Sequence, residues 1–142
     1  PLALTRELLP HLVERGRGGV VLMSSLSGGQ GSANIATYAA TKAFNTVLAE
    51  GLWQEMGEQG IDVIASCAGA IRTPGYLNAQ KGGEAPGILD AHEVAEETLA
   101  ALGSAPVVIP GRLNKWVGFM MQRLLPKASA VRLMSKNTKE LQ

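Results

Sequence analysis

Cysteine is nearly absent. Cys67 is the only one in 142 residues, so no disulfide can form within the chain. That excludes a disulfide-stapled secreted fold and makes a reducing, cytoplasmic location the expectation. Aromatic residues are scarce as well, two each of Trp, Tyr and Phe, which argues against an aromatic-rich core. Histidine occurs twice, and neither His11 nor His92 has ligand partners at metal spacing, so no metal site is expected. No sign of charge dominates: 13 Lys+Arg face 12 Asp+Glu, for a net charge of +1. This balance gives no electrostatic case for nucleic acid as a partner. No apolar run approaches the roughly 20 residues that span a bilayer, and no basic-then-apolar signal segment opens the sequence. Hydrophobic residues at 46% with 17 glycines are present instead. That composition belongs to a globular domain with tight turns.

Apolar periodicity predicts a helix over 2–15, with Pro10 expected to kink it or weaken one turn. Val20-Val21-Leu22-Met23, ending in Ser24-Ser25, predicts a strand buried on both faces. Residues 26–34 have loop chemistry. A proline-free stretch from 35 to 59 predicts a long helix, and 62–66 a second strand. Glycines and prolines make 68–90 a long loop. Asp90, with Glu93 three residues on, predicts a capping box for a helix over 91–102. A third strand is expected at 106–110 and a helix at 112–125. Strands alternating with helices imply an α/β fold with a parallel sheet. Three strands are few for such a sheet, so the chain reads as part of a larger one.

The chemistry concentrates at the end of the first strand. Tyr38 and Lys42 lie four apart on the long helix, hence on one face. An ammonium beside a phenol favours the phenolate and prepares it for acid/base work. A strand-end serine hydroxyl can polarise a carbonyl, and ligands of open α/β sheets sit beyond the carboxyl ends of strands.

Val21-Leu22-Met23-Ser24-Ser25-Leu26-Ser27-Gly28 followed by Tyr38-Ala39-Ala40-Thr41-Lys42 resembles the active-site block of the short-chain dehydrogenase/reductase family. The resemblance in element order extends over roughly residues 2–110. It implies a partial doubly wound, Rossmann-like parallel sheet with three visible strands. It implies Ser25, thirteen residues before the tyrosine, as the carbonyl-orienting serine. Tyr38 would be the proton exchanger, and Lys42 the residue that binds the nicotinamide ribose and lowers the tyrosine pKa. Ala68-Gly69-Ala70-Ile71-Arg72-Thr73 resembles the family's Pro-Gly-x-(Ile or Val)-x-Thr block, so Gly69, Ile71 and Thr73 would contact the nicotinamide, with Ala68 replacing the proline. The cofactor implied is NAD or NADP, and the partner a small-molecule alcohol/carbonyl pair. Residues 1–110 would be the catalytic, C-terminal half of a Rossmann-type domain with a substrate lid over about 74–90. Residues 111–142 would be an amphipathic helix and a basic tail carrying Lys127, Arg132, Lys136 and Lys139. A homo-oligomer built on the first and long helices is also implied. The family's Gly-rich cofactor turn and helper asparagine have no match here. The first strand is therefore expected to have a bare edge, and a truncated, non-catalytic module unable to bind a dinucleotide alone is the alternative function.

Other residues carry plainer readings. Gly29 to Asn34 nearly spells a phosphate-cradling motif, but its third glycine is Asn34. Ser24 and Ser27 suit backbone bonding in the loop, and Cys67 an inert core thiol. Arg72 suits either a phosphate contact or solvent. The apolar stripe over 112–125 suits core or dimer packing, with peripheral membrane contact as the alternative.

Overall fold

The computed structural model describes residues 1–79 and 83–137; Gly82 of the expected lid and Lys139 of the expected basic tail lie outside the described residues. In chain order the elements are α1 (Leu2–Arg15), β1 (Gly18–Met23), α2 (Ala36–Gly57), β2 (Ile61–Ser66), β3 (Ile71–Arg72), α3 (Pro74–Ala79), β4 (Leu89–Asp90), α4 (Ala91–Ala101), β5 (Val107–Val108), α5 (Arg112–Phe119) and α6 (Lys127–Asn137). The main sheet is parallel, in the order β1-β2-β5, and β3 pairs with β4 in a second small parallel sheet.

The central strand is the most apolar, as position demands. Ile61, Val63, Ile64 and Ala65 of β2 are fully buried, because helices cover both faces and a strand lies on each side. Two neighbouring glycines show the double covering. A Cβ on Gly18 would strike Leu12 of α1, and one on Gly19 would strike Leu102 at the end of α4. Successive strand residues face opposite ways, so the two helices lie on opposite faces of β1. On the α2 side, Leu22, Ala49, Val63, Ala65 and Cys67 form the core. On the α4 side the buried Ser66 hydroxyl bonds Thr98 at 2.8 Å, which removes the cost of an unpaired polar group. Among the described residues the outer edge of β1 has no strand partner.

Helix α1 continues through Pro10 to a left-handed Gly16 cap. Other expectations need correction. Residues 68–90 are not a plain loop: they hold β3, α3 and β4, because Leu89 N–H bonds Ala70 O at 3.2 Å and folds the excursion back on itself. The helix expected over 112–125 is two turns of α5 that widen into a π-helical turn at Met120–Leu124. Pro126 then separates this turn from α6, which occupies the stretch expected to be a tail. The Asp90–Glu93 capping box on α4 forms as the sequence predicts, with Asp90 N–H donating to Glu93 Oε2 at 2.9 Å.

Candidate active site

Helix α2 presents Tyr38, Lys42, Asn45, Thr46 and Ala49 along one stripe by its three- and four-residue spacing. Ala49 and Asn45 are buried beneath, while Tyr38 at the open end remains 47% exposed. The stripe is fixed to the end of β1 by polar contacts. Lys42 Nζ and Asn45 Nδ2 both donate to Met23 O at 3.0 Å. Ser24 Oγ donates to Lys42 O at 2.8 Å and pairs with Thr46 Oγ1 at 2.7 Å. Ser24 is therefore committed to holding strand and helix together. The Lys42 ammonium sits 5.5 Å from the centre of the Tyr38 ring, spending one donor on the strand.

Ser25 lies in extended backbone at the head of a 3₁₀ turn, Leu26–Gly29, and its Oγ accepts from Ser27 N–H at 3.2 Å. Gly28 brings that turn against α2: a Cβ there would lie 2.8 Å from Ala43 N and 2.9 Å from Lys42 C. Ser25, Lys42 and Tyr38 are thus gathered at one strand end. No hydrogen bond joins Ser25 to Tyr38. The loop after β2 joins the same end. Ser24 N–H bonds Ser66 O at 2.8 Å and Leu26 N–H bonds Ala68 O at 3.0 Å. This places the Gly69–Thr73 block beside the Ser25 turn. Thr73 Oγ1 accepts from Tyr76 N–H at 3.2 Å.

Arg72 is neither a loose solvated side chain nor aimed at an anion site, the two readings that the sequence left open. Its Nε and Nη2 grip both oxygens of Glu84 at 2.9 Å, and its Nη1 bonds Asp90 at 2.6 Å. With Ala85 N–H donating to Tyr76 Oη at 3.2 Å, this clasp ties the two limbs of the 73–89 excursion together. Hydrogen bonds from Arg72 hold the Glu84 carboxyl below its ordinary value of 4.5. A depressed carboxylate contributes stability that is present above its unfolded pKa and lost as the pH falls through its folded value. Glu84→Gln is therefore expected to melt below the parent at neutral pH, modestly, because the pair is exposed and screened by salt. The gap should close as the pH falls below about 4.5. Paired thermal melts across that range check it, and a gap that persists in acid would refute the clasp.

Asn114 was not legible in the sequence. Buried, it donates to Gly87 O and Pro110 O at 3.0 Å, and a Cβ on Gly69 or Gly87 would strike its carboxamide oxygen. It locks the start of α5 against the loop after β2 and the returning limb of the excursion. Asn45 and Thr46 were missed too, though their spacing from Lys42 was a usable signal. Among the described residues no cluster of His, Cys, Asp and Glu could hold a metal ion.

The donor set fits the nicotinamide-ribose end of a dinucleotide. An ammonium retains N–H groups for ribose hydroxyls, a phenol stands exposed beside it, and a loop of small residues adjoins both. The Gly29–Asn34 segment packs elsewhere. A Cβ on Gly29 would strike Gln122, and Gly29 O accepts from Lys127 Nζ at 2.8 Å.

The chain resembles known proteins in sequence and in fold. The sequence profile of the short chain dehydrogenase family matches residues 1–82. Dehydrogenase/reductase SDR family member 7B of Xenopus laevis is 35% identical over 112 residues, which cover 72% of this chain and 35% of that protein. A structure solved in work on 7β-hydroxysteroid dehydrogenase stereoselectivity superposes with a TM-score of 0.82 at 28% identity, over 94% of this chain and 52% of the other. A short chain dehydrogenase from Burkholderia cenocepacia, in complex with NADP, gives 0.75 at 25% identity, over 94% and 54%. The chain spans between about a quarter and a half of the length of the curated relatives it matches.

Proposed function

This chain belongs to the short-chain dehydrogenase family, and from that premise we propose that it is the catalytic half of an NAD(P)-dependent oxidoreductase acting on an alcohol/carbonyl pair. The reading rests on one observation above all: the Lys42 ammonium, anchored on Met23 O, is held 5.5 Å from the Tyr38 ring beside the Ser25 turn. A nicotinamide coenzyme, when bound, would supply or accept the hydride. In the reducing direction the Tyr38 hydroxyl gives its proton to the oxygen of the carbonyl, and in the oxidising direction its phenolate removes one from the alcohol. Lys42 favours the phenolate electrostatically and donates to the ribose hydroxyls. Ser25 donates to the substrate oxygen and sets its position. It breaks no existing bond to do so, because its oxygen only accepts, from Ser27 N–H. Gly69, Ile71 and Thr73 would border the nicotinamide.

The excursion over about 74–90, fastened by the Arg72 clasp, is the substrate lid in this reading. Helices α1 and α2 supply the contact between copies in a homo-oligomer. The buried free thiol of Cys67 suits a reducing compartment such as the cytoplasm. The isolated 142 residues carry no Gly-rich phosphate turn, so dinucleotide binding by this segment alone is expected to be weak.

The test uses the intact protein, titrated with NADH and NADPH and then assayed by loss of reduced-nicotinamide absorbance against a panel of ketones and aldehydes. Saturable binding of at least one coenzyme and turnover of at least one carbonyl are expected. Absence of binding to either coenzyme would overturn the reading in favour of a non-catalytic module.

A further inference from the structure

The near-neutral total conceals a strong segregation of charge. Residues 1–111 carry 11 of the 12 acidic residues, while residues 112–137 carry six basic residues and no acidic one. The basic segment is held to the body by a single side. Lys115 pairs with Glu97 at 2.9 Å, Lys127 bonds Gly29 O at 2.8 Å, and the buried Asn114 and Gly118 face inward. The remaining cations, Arg112, Arg123, Arg132 and Lys136, have no ion-pair partner among the described residues.

The side of α5 turned away from the body is apolar. Leu113, Trp116 and Phe119 are 49%, 61% and 55% exposed and follow at three-residue spacing, so they share one arc of the helix, with Arg112 in it. Leu124, on the following π-helical turn, is 58% exposed next to Arg123. Exposed Trp and Phe among leucines, flanked by unpaired cations, is the composition of a helix lying in a lipid headgroup region. A nucleic acid would use the cations but leave the leucines in water. A second copy meeting the same patch would oppose like charges. No helix of the described residues is long and apolar enough to cross a membrane, which leaves contact along the surface.

We propose that the outward face of α5 and its π-helical turn docks on an anionic lipid surface, with Trp116 and Phe119 entering the interface and Arg112 and Arg123 meeting lipid phosphates and carboxylates; α6 adds attraction through Arg132 and Lys136. This inference does not depend on the oxidoreductase reading.

The test is co-sedimentation of the intact protein with vesicles of phosphatidylcholine alone or mixed with phosphatidylserine. Binding is expected to the mixed vesicles, at least tenfold weaker to the neutral ones, and reversed by high salt. Arg112→Gln/Arg123→Gln should weaken it on the order of 30-fold. Trp116→Ser/Phe119→Ser should weaken it by at least tenfold. Arg6→Gln/Arg15→Gln on α1 removes the same net charge and should leave binding unchanged. A variant that fails to fold is replaced by Trp53→Phe, in which the Trp116 emission should shift to the blue on mixed vesicles. Equal binding to both vesicles, no binding to either, or an α1 variant as impaired as the α5 one would each overturn the proposal. So would a Trp116→Ser/Phe119→Ser protein that runs at a smaller assembly size than the parent, since the patch would then lie between copies.

Discussion

Replacing Tyr38 with Phe in the intact protein is expected to lower kcat by on the order of 10³-fold and leave coenzyme affinity within a few-fold. The substitution removes one oxygen. The residue is half-exposed, and its hydroxyl makes no hydrogen bond within the described residues. Loss of a core contact or an orphaned partner therefore cannot account for a large effect. What disappears is the group that exchanges the proton with the substrate oxygen, and a positioned general acid or base contributes about 10²–10⁴-fold. Lys42 keeps its bond to Met23 O and its place beside the ring, so the residue proposed to bind ribose is undisturbed. Coenzyme titration, steady-state kinetics and a thermal melt on the same preparation separate these quantities. A Tyr38→Phe protein with near-parental kcat would remove the tyrosine from the mechanism. Equal loss of coenzyme binding would show that the substitution had disturbed the pocket instead.

Much of this site was legible because its chemistry lies along short sequence distances. Tyr38 and Lys42 share a face by helical period, and Ser25 follows a strand whose apolar run fixes where it ends. The three main strands and the α4 capping box were legible for the same reason: each is a local pattern that the fold does not contradict. The partners of Arg72 were not. Glu84 lies twelve residues away, across an excursion whose return is set by the β3–β4 pairing, and two-residue strands carry no periodicity to read. Asn114 was hidden more deeply. Its neighbours Gly69, Gly87 and Pro110 come from three segments, and only the folded chain brings them to one carboxamide. The break of the expected 112–125 helix likewise turns on a π-helical widening, which apolar spacing alone does not announce.

Gly28→Ala is expected to cost about 10²-fold in kcat/KM while lowering stability by about 1–3 kcal/mol, the usual cost of overpacking. Gly28 sits in the turn that follows Ser25, with negative φ, so backbone strain is not the issue. Space is. The added Cβ would lie 2.8 Å from Ala43 N and 2.9 Å from Lys42 C, and both are backbone atoms of α2 that no rotamer change can move. The turn must retreat from the helix by about 1 Å to restore ordinary van der Waals contact. Ser25 heads that turn, tied to it by the Ser27 N–H bond, and moves with it. The core beneath, built on Val63, Ala65 and Ala49, is untouched, so the chain should still fold. A displacement near 1 Å between a substrate-holding hydroxyl and a proton donor on a separate element is enough to lose about 10²-fold in rate. Tyr38 and Lys42 both ride on α2 and keep their mutual geometry, so coenzyme affinity should change little while substrate turnover collapses. Kinetics with a urea melt on the same protein decide the matter. If kcat/KM falls only in step with the folded fraction, the glycine is there for packing alone, and the Ser25 turn has no special claim on the substrate oxygen.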